Sequence, residues 1–157
     1  MQNNLNHIAL ILDGNKRWSK KKKLNDLSGY SEGFKNIRKI INFLLTYKLK
    51  YLTIFALSSE NFNRTSLNLI YEIIYKNFSN LLEDLVKVNE VKIKIIGSKE
   101  ELPQKIIDIF NEVEKISKNN SKMQINIAFN YGFKEEIKKL IKKIIDYKKD
   151  FIFYNDE

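Results

Sequence analysis

The chain has 157 residues, the length of one domain, and we expect residues 1–157 to form a single one. Apolar residues at 43% and charged residues at 30% exclude a disordered chain. The absence of cysteine and the presence of one histidine, His7, exclude a disulfide framework, a thiol nucleophile, a Cys/His metal cluster and most Ser–His–Asp catalysis.

The formal charge of +9 comes from 25 Lys and only three Arg, in a chain also rich in Ile and Asn. It permits nucleic acid, anionic lipid or phosphorylated small molecules as partners and does not choose among them. Unbroken apolar runs reach only about five residues, too few to cross a bilayer. The start, MQNNLNHIALIL, lacks the basic region and cleavage site of a secretory leader, so a soluble, cytoplasmic protein is expected.

In chain order, Ile8–Leu12 reads as a buried parallel strand. A helix follows with Phe34, Ile37, Ile41 and Leu44 on one face. Tyr51–Leu57 reads as a second buried strand, and Leu67 to Leu85 as a second apolar-faced helix. Val91–Ile96 and Met123–Phe129 alternate more, which places them nearer the sheet edges. Between them Ile106, Phe110 and Val113 mark a third helix, opened by the capping box Ser98-Lys-Glu-Glu101. Ile137, Leu140, Ile141 and Ile144 mark a fourth, and Phe151–Tyr154 reads as a last strand. This alternation predicts an α/β fold: one parallel sheet with helices on both faces.

In such a sheet the segments after the strands converge on the carboxyl edge, where ligands bind. Asp13-Gly14-Asn15-Lys16-Arg17-Trp18 follows the first strand, and Ser58-Ser59-Glu60-Asn61-Phe62-Asn63-Arg64 the second. Gly97-Ser98 and Asn130-Tyr131-Gly132 follow the others. Two of the three arginines fall in these segments, where a planar guanidinium fork matches phosphate better than Lys does. Asp13 suits Mg²⁺, which is held by one or two carboxylates plus substrate phosphates, and Gly14 lets the backbone approach a ligand. The pattern reads as a Mg–diphosphate site, with neither a Walker A loop nor a Rossmann fingerprint. Singly, the same residues also read as turns and caps, Trp18 as a packing residue, Lys20–Lys23 as a solvated face and His7 as structural.

At these residues the sequence resembles the cis-prenyltransferases, whose bacterial type is undecaprenyl diphosphate synthase. His7-Ile8-Ala9, Ile11 to Asn15, Arg17-Trp18, Gly29, Gly33, Ser58 to Arg64, Ile95-Ile96-Gly97 and Asn130-Tyr131-Gly132 carry the resemblance, over about residues 7–145. It implies Mg²⁺-dependent joining of isopentenyl diphosphate to an allylic diphosphate such as farnesyl diphosphate, with cis geometry. It implies further that Asp13 holds Mg²⁺ and helps the allylic diphosphate ionise, while Asn61 assists proton removal. Gly14, Asn15, Lys16, Arg17 and Arg64 would surround the diphosphate. Trp18 and Phe62 would line the prenyl path, and Ser58, Ser59 and Glu60 would shape the site. A homodimer, peripheral membrane contact through a lipid product and no nucleic-acid partner are implied as well.

The sequence departs from the family pattern at several positions. Lys16 stands where Gly is usual, Asp26 where Arg is, Tyr30 where His is and Phe62 where Trp is, and Phe133-Lys134 replaces a common Gly-Arg. The family's later Arg-Thr-x-Gly-Glu-x-Arg-x-Ser-Asn-Phe segment, which holds isopentenyl diphosphate and contributes to the dimer, has no counterpart among these 157 residues. The alternatives are a non-catalytic or split homologue that binds prenyl diphosphate only, and a basic nucleic-acid-binding protein, for which no recognition module is visible.

Overall fold

A computed structural model describes residues 5–61, 67–78 and 91–154. The elements, in order, are β1 (His7–Ile11), α1 (Asn15–Lys21), α2 (Asp26–Thr46) and β2 (Tyr51–Ser58). A 3₁₀ turn (Ser59–Asn61) follows, then α3 (Leu67–Ile73), which runs into a π-helical turn (Ile74–Phe78). β3 (Val91–Ile96), α4 (Gln104–Ile116), β4 (Met123–Tyr131) and α5 (Phe133–Tyr154) complete the described chain. The four strands form one sheet, ordered β1-β2-β4-β3, with every neighbouring pair parallel. The protein is thus α/β, as the alternating patterns predict.

The core explains which faces turn inward. Ile37, Ile41 and Leu44 of α2, spaced three and four apart, are buried against Leu52 and Ile54 of β2 and Ile125 of β4. Phe110 of α4 meets Phe129 edge-on, with ring centroids 5.3 Å apart. Helices α2, α3 and α4 and the strands between them meet around one small apolar cavity. The opposite sheet face is polar toward its amino end. His7 Nε2 lies 2.8 Å from Thr53 Oγ1, Asn126 Nδ2 donates to Thr53 Oγ1 at 3.1 Å, and Gln124 Nε2 donates to Asn126 Oδ1 at 2.8 Å. His7 is therefore a structural residue at the end of the sheet remote from the strand-end loops.

Four expectations change. β1 is an edge strand and β4 an interior one; the alternation in β4 reports the polar ladder on its second face, which a sheet edge would mimic. α4 does not start at a Ser98 capping box. Its N-cap is Pro103, which disfavours helix at Leu102, and Ser98 Oγ instead accepts from Glu100 N at 3.3 Å. Residues Phe151–Tyr154 are not a strand but the last turn of the 22-residue α5, where extending a formed helix overrides local β-propensity. The second apolar helix becomes π-helical after Ile73, and its predicted part beyond residue 78 lies outside the described residues.

The free edge of β3 is sealed by α4 and the residues after it. Ser117 Oγ accepts from Ile93 N at 3.0 Å and Glu114 Oε1 accepts from Ile95 N at 2.9 Å. Asn120 Nδ2 donates to Val91 O at 2.8 Å. These side chains replace the hydrogen bonds a further strand would make.

Candidate functional site

The chain leaves β1 through a tight turn. Leu12 N still donates to Phe55 O of β2 at 3.1 Å, and Gly14 then adopts a left-handed φ of 88° as the N-cap of α1. That conformation suits glycine, and it turns the helix back across the carboxyl end of the sheet. The Asp13 carboxylate is held at both oxygens: Oδ1 accepts from Gly14 N, and Oδ2 accepts from Arg17 Nη2 at 3.0 Å. Both side chains are well exposed, at 77% for Asp13 and 79% for Arg17, so the pair is open to a ligand.

Helix α1 is seated on α2 through two glycines one turn apart. A Cβ at Gly29 would collide with the Asn15 carbonyl oxygen, and one at Gly33 with the Asn15 side chain. This close approach brings Lys16 of α1 to Asp26 in the first turn of α2, Nζ to Oδ2 3.6 Å. The Asp26 carboxylate is therefore met by the cation at Lys16. Asn25 caps α2 by accepting from Ser28 N at 2.9 Å, which fixes where that first turn begins.

Asp13, Gly14, Asn15, Lys16, Arg17 and Ser58 gather around one cleft of about 570 Å³. Ser58 reaches it because β2 shifts register against β4 on either side of Leu57, an irregularity that re-aims the strand end. Behind the cleft lies the apolar cavity, of about 130 Å³. The two share Leu12, Asn15, Tyr30, Ala56 and Ile70 as a common wall. A polar mouth thus opens onto an apolar interior.

Other expected residues are placed elsewhere. Ser59 and Glu60 line a neighbouring cleft of about 350 Å³ with Ser98, Asn130, Glu135 and Lys139. Ser59 is fixed there by its close approach to Gly132, where a Cβ would strike Ser59 Oγ. Trp18 is 41% exposed on α1 and lines neither the mouth nor the apolar cavity. Asn61 ends the 3₁₀ turn, while Phe62 and Arg64 lie outside the described residues. Sequence reasoning missed the neck residues Ala56 and Ile70 and noted Tyr30 only as a departure. They come from three elements, and no local pattern unites them.

Among the described residues no group of three His, Cys, Asp or Glu side chains is arranged to hold a metal ion. A divalent cation there would rely on Asp13 and on oxygens of the bound substrate, the donor set Mg²⁺ tolerates. Next to the neck residue Ile70, burial and the neighbouring Tyr75 push the Tyr71 phenol above its ordinary 10.0. Among the described residues no helix is long and apolar enough to cross a membrane.

The family model described as "Putative undecaprenyl diphosphate synthase" matches residues 11–155. The chain belongs to this prenyltransferase family. Among its relatives, the isoprenyl transferase of Fusobacterium nucleatum is 38% identical over 141 residues, covering 88% of this chain and 61% of that protein. The farnesyl-diphosphate-specific ditrans,polycis-undecaprenyl-diphosphate synthase of Buchnera aphidicola is 36% identical, covering 88% of this chain and 56% of its own. The fold matches lavandulyl diphosphate synthase from Lavandula x intermedia, solved in complex with dimethylallyl diphosphate. The TM-score is 0.87 at 30% identity, over 96% of this chain and 65% of that one. The chain thus spans roughly six-tenths of the length of the curated relatives it matches.

Proposed function

We propose that the chain binds an allylic prenyl diphosphate with its diphosphate at the Asp13–Arg17 mouth and its hydrocarbon tail in the apolar cavity, as an isoprenyl transferase of the cis-elongating type. The observation that carries this reading is the shared wall: a cationic mouth and an apolar cavity meet at Leu12, Asn15, Tyr30, Ala56 and Ile70. An amphiphile with an anionic head and a branched hydrocarbon tail matches that arrangement, and the matching family uses such molecules.

The chemistry breaks the allylic C–O bond, releases diphosphate, joins the allylic carbon to isopentenyl diphosphate and loses a proton. Arg17 and Lys16 bind the leaving diphosphate and stabilise the charge that grows on it. Asn15 and Gly14 bring polar groups and backbone close to it. Asp13 holds Arg17 in place and offers a carboxylate to a divalent cation. Mg²⁺, when bound, adds positive charge against the departing diphosphate. The apolar wall excludes water from the tail and from the carbon next to it.

The test is calorimetric binding of farnesyl diphosphate with Mg²⁺ present, paired with a turnover assay using labelled isopentenyl diphosphate. The expected result is binding that Arg17→Ala weakens by about tenfold or more, the loss of a charge-assisted contact. Unchanged binding in both Arg17→Ala and Asp13→Ala would sink the site assignment. The second reading, binding without turnover, rests on Asp26 and Tyr30, an acid and a phenol at positions where the resemblance implies Arg and His. Product lengthened in the turnover assay would reject it.

A further inference from the structure

We infer that Asp26 is a positioning residue for Lys16, and that the pair forms a diphosphate-holding device at the mouth; this deepens the prenyl diphosphate reading and rests on it. Lys16 of α1 and Asp26 in the first turn of α2, ten positions apart in sequence, form one ion pair in space. Lys16 Nζ lies 3.6 Å from Asp26 Oδ2. Lys16 lines the cleft beside Asp13, Gly14, Asn15 and Arg17, so its ammonium belongs to the mouth.

Three features separate this pair from an incidental surface contact. It is set by close helix packing: Gly29 of α2 meets the Asn15 main chain and Gly33 the Asn15 side chain, which seats the start of α1 against α2. It is also more sheltered than the Asp13–Arg17 pair, at 40% and 34% side-chain exposure against 79% and 77% for Arg17 and Asp13. Solvent and salt therefore screen it less. Finally, an ammonium has three donors, and a single contact to Asp26 leaves the others for phosphate oxygens.

The consequences follow from charge and entropy. An unpartnered Lys16 would spread over many rotamers, and binding an anion would have to order it. Asp26 confines the side chain before the anion arrives. In return Lys16 neutralises Asp26, which alone would repel a diphosphate.

The test is a double-mutant cycle read by calorimetry with inorganic pyrophosphate and Mg²⁺, all variants first checked for unchanged melting. Lys16→Met is expected to lower pyrophosphate affinity about tenfold, and Lys16→Arg to keep it within about threefold. Asp26→Asn should lower affinity about threefold when Lys16 is present and raise it in the Lys16→Met background, where it removes an unpaired carboxylate. That reversal of sign is something a purely structural role would not produce. Failure of pyrophosphate to bind, no loss in Lys16→Met, or the same effect of Asp26→Asn in both backgrounds would each overturn the inference. If pyrophosphate binds with the reversal but a farnesyl tail adds no affinity, the prenyl reading fails and the pair stands.

Discussion

Replacing Gly29 by alanine tests whether backbone contact between α1 and α2 builds the mouth. In a helix interior the exchange alone is worth about 1 kcal/mol in favour of alanine. Here the new Cβ meets the Asn15 carbonyl oxygen and comes within 3.0 Å of Ser19 Cβ. A main-chain oxygen cannot rotate away, so α1 must move, and the cost falls in the upper part of the overpacking range, about 2–3 kcal/mol. The net expectation is a loss of about 1 to 2 kcal/mol, or roughly 2–8 °C in Tm for a chain of this size. Gly33→Ala is the internal control. Its Cβ meets the Asn15 side-chain amide, which can turn at a cost of about 0.5–1.5 kcal/mol. That nearly cancels the helix gain, leaving Tm within about 2 °C of the parent. Thermal melts followed by circular dichroism give both numbers. Gly29→Ala melting at or above the parent, or Gly33→Ala melting below Gly29→Ala, would refute the backbone-contact argument.

Ser117→Ala should cost about 1–3 kcal/mol in urea unfolding, because it strips the buried Ile93 N–H of its acceptor; Ser117→Thr, which keeps a hydroxyl, should lose less. Tyr71 sets an alkaline dependence. Below pH 10 both states hold the phenolic proton; above it the unfolded chain releases the proton first, so stability falls as pH rises toward the raised folded value. Urea midpoints at about pH 9 and about pH 11 should therefore drop less in Tyr71→Phe than in the parent, and equal drops would reject the assignment. On α5, Leu140 and Ile144 are 53% and 49% exposed. The double change Leu140→Lys with Ile144→Lys should reduce binding of a hydrophobic dye while shifting Tm by little; a fall in Tm typical of a core truncation would show that the stripe is buried in solution.

The contiguous part of the candidate cleft was readable in advance. Asp13, Gly14, Lys16 and Arg17 sit within five positions after a strand, and a parallel sheet sends that segment to its carboxyl edge. The Lys16–Asp26 pair was not readable as a pair, because it depends on how two helices cross, and the two glycines that set the crossing give no periodic signal. Ser59 and Glu60 follow Ser58 directly, yet they turn into another cleft, since the register shift around Leu57 and the contact with Gly132 are tertiary. The fold class followed from alternating helix and strand periods. The place of each strand in the sheet did not: β4 alternates because of a polar neighbour on its second face, and β1 looks buried although Ile11 at its end is 78% exposed.

The sealing of β3 gives the sheet a direction of growth. With Ser117, Glu114 and Asn120 occupying that border, a fifth strand cannot join beside β3 without displacing them. Any strand added to this sheet, from a longer version of the chain or from a separate polypeptide, has the outer border of β1 as its landing place. Exposed Ile11 and the Asp13 turn stand on that same border. Whatever joins there would arrive next to the mouth, so enlarging the sheet would at the same time add a wall to the cleft.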